Sequence, residues 1–153
     1  MYVRRLLPDD LAEVTGLEQA LNSGWSRGAV HEELDRPRGI QLVAYEDYGN
    51  AIVGWCCGLR VGEEAELLRI SVTRSKRKCG VASTLLARFE KECREQKVAS
   101  IFLEVADKNL AAKHLYEKFD YKQVSRRKAY YSRPKSDALV MNKILSRESP
   151  EKD

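Results

Sequence analysis

The sequence predicts an α/β protein of the mixed (α+β) kind, one central sheet flanked by about four helices, and three patterns carry that prediction. Three β-rich runs between Gln41 and Thr73 follow one another across turn residues, as antiparallel neighbours do. Strand, helix, strand, helix then alternate up to Phe119, which calls for a parallel crossover. Two further strands close the chain, so the sheet of six to seven strands holds both senses of pairing.

Taken in order, Leu11, Val14, Leu17, Glu18 and Leu21 recur at helical spacing, and Asp10 with Glu13 reads as a capping box, giving a first helix from about Asp9 to Asn22. Asn22-Ser23-Gly24 breaks it, Trp25 lies in the linker, and Ser26 to Asp35 reads as a shorter polar helix. The runs Gln41–Tyr45 and Ala51–Cys57 form a hairpin around Asp47-Tyr48-Gly49-Asn50, and a third strand spans Ala65–Thr73. Val81, Leu85, Leu86, Phe89 and Cys93 mark a helix of about 14 residues by their spacing. Ala99–Val105 is a short apolar strand, and Asn109 can cap a helix carrying Ala112, Leu115, Tyr116 and Phe119. Lys122–Lys128 and Asp137–Lys143 are the closing strands, joined through Ser132–Ser136.

The chain's 153 residues suit one compact domain, here residues 1–145 with a polar tail at 146–153. No apolar run approaches the roughly 20 residues of a membrane span. The start Met1-Tyr2-Val3-Arg4-Arg5 opens no secretory signal, so a cytoplasmic protein without membrane contact is expected. Cys56, Cys57, Cys79 and Cys93 form no CxxC pair, and His31 and His114 sit at no ligand spacing to them, so no metal is expected. The net charge of +4 matters through clustering: Arg74, Lys76, Arg77 and Lys78 fall within five residues.

That cluster opens the chemistry. Arg77-Lys78-Cys79-Gly80-Val81-Ala82 lies between a strand and a helix, where glycine lets backbone approach a ligand and the helix start attracts phosphate. A solvated basic turn fits the same residues. Glu104 lies inside an apolar strand, where a carboxylate is costly unless paired or used, and desolvation suits it to accept a proton; a strand-end carboxylate facing solvent fits the same position. Tyr116 is a core aromatic by spacing, with a phenol able to protonate a leaving group.

Laid together, Ile70-Ser71-Val72, Arg77 to Ala82, Leu103-Glu104-Val105, Asn109, Ala112, Leu115-Tyr116-Glu117 and Tyr130-Tyr131 resemble the GNAT superfamily, and most closely its RimI type, the ribosomal-protein-alanine N-acetyltransferases. Weaker similarity runs through Leu17-Glu18-Gln19 and Trp25-Ser26. The resemblance implies a GNAT fold splayed between the fourth and fifth strands. It implies acetyl-CoA as co-substrate, held by Ile70, Ser71 and Val72 on its pantetheine arm. Arg77, Lys78, Cys79, Gly80, Val81, Ala82 and Ser83 would hold its pyrophosphate, with Asn109 and Tyr116 adjoining. It implies Glu104 as general base, directly or through water, and Tyr116 as general acid in direct transfer within a ternary complex. Glu18, Trp25, Tyr130 and Tyr131 would frame the acceptor, a protein N-terminus such as that of a ribosomal protein beginning with alanine. Arg74, Cys79 and Asp120 depart from the family pattern.

Other readings stay open. A small amine or a lysine side chain is an alternative acceptor, although Arg126, Arg127 and Lys128 disfavour a polycation. A non-catalytic acyl-CoA-binding module is another. RNA binding is not expected, because the basic runs lack interleaved aromatics. An acyl-cysteine route is disfavoured because Cys79 has no histidine near it in sequence. A monomer or weak dimer is expected.

Overall fold

A computed structural model describes residues 1–48, 51–132 and 135–145. Seven strands form one sheet: β1 (Tyr2–Arg5), β2 (Gly39–Tyr45), β3 (Ile52–Val61), β4 (Glu64–Val72), β5 (Ser100–Ala106), β6 (Lys122–Ser132) and β7 (Lys135–Ile144). Their spatial order is β1-β2-β3-β4-β5-β7-β6. The helices are α1 (Leu11–Ala20), α2 (Arg27–Leu34), α3 (Val81–Glu95) and α4 (Leu110–Lys118). Among the described residues only β4 and β5 pair in parallel, joined by α3 as the expected crossover. The mixed sheet and four helices agree with the class read from the sequence.

Three details differ. β1, four residues of Tyr-Val-Arg-Arg, is too short to announce itself, yet it extends the sheet edge by pairing Tyr2–Arg5 with Leu42–Tyr45. The capping box does not form. A short 3₁₀ turn, Pro8–Asp10, precedes α1, whose cap makes no side-chain bond. Asp10 instead accepts from the Leu7 amide at 2.7 Å, from Arg4 at 2.7 Å and from the Tyr45 hydroxyl at 2.7 Å, while Glu13 accepts from the Ile52 amide at 3.1 Å. Lastly, β6 runs on to Ser132, so Tyr130 and Tyr131 are strand residues rather than part of a connection. Gly49 and Asn50 of the hairpin turn, Arg133 and Pro134 of the closing turn, and the tail 146–153 lie outside the described residues.

Two cores form because β2 and β3 bury both faces. On one face α3 and α4 cover Ile40, Leu42, Cys56, Leu67, Ile101, Leu103, Val105 and Met141. On the other, α1 and α2 cover Val43, Trp55 and Cys57. Fully burying a side chain of this size contributes about 1.5–3 kcal/mol. α3 lies hard against the backbone of β3 at two glycines: a Cβ on Gly54 would meet Val81 Cγ1 at 2.9 Å, and one on Gly58 would meet the Phe89 ring at 2.6 Å. That close approach fixes where α3 begins relative to β4.

β4 carries an irregularity that matters for the site. Gly58 pairs with Leu67 and Cys57 with Arg69, leaving Leu68 as an extra residue. Pairing of β4 with β5 ends at the same place, after Glu64–Leu67 against Ser100–Leu103. Beyond Leu67 the two parallel strands part.

Candidate active site

The parting of β4 and β5 leaves the edge groups of Leu68–Val72 and of Glu104–Ala106 without each other as partners. β5 remains paired with β7 through Ala106, and β4 with β3 through Val72, so the opening is confined to one side of each strand. An extended chain can use such an edge for backbone hydrogen bonds. Ile70 and Val72 face the α3 side, while Ser71 faces the α1 side opposite Trp55.

Just above the opening, α3 starts at Gly80, whose φ of +82° is the left-handed conformation a glycine tolerates. No side chain caps this end, and nothing lies within 4 Å of where a Gly80 Cβ would stand. The first-turn amides of Val81, Ala82 and Ser83 are therefore free to meet an anion. Arg77 and Lys78 are exposed beside them and have no ion pair among the described residues, whereas Lys76 is held by Glu46 at 2.5 Å. Cys79 is exposed, with its sulfur 3.5 Å from the Arg77 carbonyl. Asn109 Oδ1 accepts from the Ala112 amide at 3.2 Å, capping α4 as its position in sequence suggests. An open strand edge leading to a basic helix start fits a phosphate-bearing thioester with an extended arm.

Glu104 lies across the sheet from this edge. Its neighbours Leu103 and Val105 join the α3-side core, so Glu104 faces the α1 side of the sheet at the first residue beyond the last β4 pair. Its side chain is 24% exposed, and among the described residues its one ion pair is with Arg127 of β6, at 3.3 Å. Arg127 also lies over the Tyr130 ring, 5.4 Å from its centroid. Tyr116 is 8% exposed on α4, edge-on to Tyr121 at 5.7 Å. Burial pushes its phenol up to about 12, helped by Cys56 and Tyr131 and opposed by Arg69, so it keeps its proton near neutrality. Its hydroxyl has no hydrogen bond among the described residues, leaving it available.

The other residues expected to frame an acceptor divide. Trp25 is partly buried and edge-on to Trp55 at 5.6 Å. Tyr130 is 52% exposed and packs edge-on to Tyr131 at 5.2 Å, on a stretch where the β6–β7 register slips and Ala129 has a φ of +51°. Glu18 does not reach the surface at all. It is 0% exposed, receiving Trp55 Nε1 at 2.7 Å, Arg69 at 3.0 and 3.3 Å, and the Ser23 hydroxyl. Burial alone would raise its carboxyl. Bonds from Arg69, Ser23 and Trp55 overcome this and hold it below the usual carboxylate range, with the Ser71 hydroxyl nearby adding to the effect without a bond of ordinary geometry. Glu18 thus anchors Arg69, and its full burial leaves no room for the direct acceptor contact read from the sequence.

Two side chains escape sequence reasoning. Arg69 follows the irregular Leu68 and shares the α1 face with Glu18. Glu66 lies opposite Phe102, hence on the face of Glu104 two residues further along β5. The available signal is an acidic residue inside an otherwise apolar strand, as at Glu104. A pocket lined by Met1, Glu46, Asp47, Tyr48, Val53, Lys76, Cys79 and Val81 runs along the basic loop to the start of α3 and includes none of Glu104, Tyr116 or Ile70–Val72. Among the described residues no group of His, Cys, Asp and Glu could hold a metal, and no helix is long and apolar enough to cross a membrane.

Residues 11–121 match the family profile described as "Acetyltransferase (GNAT) family". A ribosomal protein bS18-alanine N-acetyltransferase of Haemophilus influenzae is 30% identical over 128 residues, which are 81% of this chain and 84% of the relative. Among solved structures, the ribosomal-protein-S18-alanine N-acetyltransferase from Escherichia coli superposes with a TM-score of 0.87 at 24% identity, covering 97% of this chain and 96% of the other. Ard1 from Thermoplasma volcanium superposes with a TM-score of 0.82 at 27% identity, covering 95% and 97%.

Proposed function

The chain belongs to the GNAT acetyltransferase family, and we propose that within it the acceptor is the N-terminal α-amine of a protein, a ribosomal protein beginning with alanine being the first candidate. It is an acetyl-CoA-dependent N-acetyltransferase. The observation that carries the acceptor reading is the relative of that printed activity, matched over 81% of this chain. The single open carboxylate of β5 and the aromatic, partly exposed surface of Trp25, Tyr130 and Tyr131 support it.

Acetyl-CoA supplies the acetyl group as a thioester. Around it, the unpaired edge of Ile70, Ser71 and Val72 offers backbone bonds to an extended arm, and Arg77 to Ser83 offer amides and cations to phosphates. An amine attacks only after losing a proton, and Glu104 faces the acceptor side where it can take that proton, directly or through water. Tyr116, neutral near pH 7, holds a proton for a departing sulfur. Glu18 keeps Arg69 in place beneath the acceptor, and Asn109 holds the start of α4, which carries Tyr116. No cysteine takes part: Cys56, Cys57 and Cys93 are buried, and burial pushes all three thiols up.

The test is release of free thiol from acetyl-CoA in the presence of peptides beginning with alanine, each paired with its N-blocked form. Turnover that requires the free α-amine supports the reading. Equal turnover of blocked peptides through lysine, or turnover of small amines alone, contradicts it.

A further inference from the structure

We propose that Arg69 is the residue that selects an α-amine: its guanidinium, anchored on the buried Glu18, donates to the carbonyl oxygen attached at the Cα beside the reacting nitrogen. This deepens the α-amine reading above and rests on it.

β4 and β5 part after Leu67 and Leu103, so Arg69 stands two residues past the parting on one strand and Glu104 one residue past it on the other. Leu67 belongs to the α3-side core, and plain alternation from it would send Arg69 to that side too. The extra residue at Leu68 reverses the parity, so Arg69 meets Glu18 of α1 and shares the face of Glu104. Beyond burial, the charge of Arg69 acts on the Tyr116 phenol and that of Glu104 acts on Tyr131, while Tyr131 in turn acts on Tyr116. The four side chains border one opening.

What Arg69 has left to offer is specific. Its Nε and Nη2 bond the Glu18 carboxylate at 3.3 and 3.0 Å, and its Nη1 has no partner among the described residues. The side chain is 27% exposed above a carboxylate that is fully enclosed. A guanidinium is planar and rigid, so fixing one edge on Glu18 also fixes the direction in which the free N–H groups point.

Charge decides what those groups accept. An arginine by itself would repel an incoming ammonium. Burial would raise the Glu18 carboxyl, and the bond from Arg69 leads those that hold it below the usual carboxylate range, so the pair carries no net charge near neutrality. A neutral pair neither repels the ammonium nor attracts an acidic side chain, and its free donors suit an uncharged oxygen. The carbonyl next to an α-amine is such an oxygen, present at every protein N-terminus whatever the first side chain. A lysine ε-amine or an alkylamine has only methylenes beside its nitrogen.

The experiment uses the full chain and two acceptors, an alanine peptide and its trans-alkene isostere, in which a C=C bond replaces the first peptide bond and the carbonyl oxygen is gone. Wild type, Arg69→Met, Arg69→Lys and the paired Glu18→Gln/Arg69→Met are compared by the ratio of kcat/KM for the two acceptors. The expected wild-type preference for the peptide is about 10- to 100-fold, the effect of one hydrogen bond from a charged donor. In Arg69→Met the ratio falls to within about threefold of unity with the acetyl-CoA KM unchanged, and Arg69→Lys, which keeps the charge without the fork, lies between. Arg69→Met leaves a buried carboxylate without its cation, so the paired variant, which removes both charges, guards against a failure to fold and gives the same low ratio. A merely structural role lowers kcat/KM for both acceptors alike. A ratio within about threefold of wild type in Arg69→Met and in the paired variant overturns this proposal alone. A wild type that acetylates only the lysines of N-blocked peptides overturns the α-amine reading and this proposal with it.

Discussion

Glu18 and Glu104 are both acidic residues on the α1 face of the sheet, and their surroundings could hardly differ more. Glu18 is fully enclosed, with Trp55, Arg69 and Ser23 donating to it, and its carboxyl is held below the ordinary range. Glu104 is open to solvent on one side, answers to one exposed arginine, and borders the gap where two strands part. The difference shows how a single sheet face serves two purposes. A carboxylate whose lone pairs are all engaged is architecture, because no substrate can compete for it without breaking the network. One left with capacity at a strand gap is available for chemistry.

Mutations that break this contrast should act on different observables. The largest expected effect is on stability: Glu18→Ala strands Arg69 and Trp55 without their acceptor, at a cost of about 3–5 kcal/mol, read by urea unfolding. Next comes Tyr116→Phe, which removes a hydroxyl with no described partner. It should lower kcat about 100-fold as loss of a general acid while unfolding within about 0.5 kcal/mol of wild type.

A subtler separation comes from pH. Because the folded pKa of Glu18 is depressed, its contribution is fully present above the unfolded carboxylate pKa and is lost as pH falls through the folded value. The stability gap between wild type and Glu18→Gln should therefore narrow on acidification, measured as unfolding midpoints across an acid series. A gap that stays constant would show that Glu18 is held by packing rather than by charge. Smallest of all is Arg127→Gln: loss of an exposed pair should change stability by less than about 1 kcal/mol, and the amine KM should fall by no more than about fivefold as a competitor for Glu104 disappears. A rise in KM would assign Arg127 to binding the acceptor instead.

Much of this was legible in the sequence, and the exceptions have physical reasons. Helical spacing from Val81 to Cys93 and the apolar run before Val105 mark their elements without ambiguity, and Gly80 after a basic run marks the helix start. β1 is too brief to show a period. Glu18 is read from the sequence as an acceptor contact, and its partner Arg69 lies 51 positions away, a pairing that no local pattern reveals. The shared face of Glu66 and Arg69 is hidden for a sharper reason: alternation along β4 assigns residues three apart to opposite faces, and the extra residue at Leu68 reverses that parity. Tyr130 and Tyr131 fall in a segment of slipped register, where no strand signal survives in sequence.

The most direct measurement of the division between the two carboxylates is Glu104→Gln, assayed for kcat/KM with an alanine peptide and for thermal midpoint in the same preparation. An available base predicts a loss of about 10²–10⁴ in rate with the midpoint unchanged. Full activity, or a loss of rate that merely tracks a lowered midpoint, would contradict it.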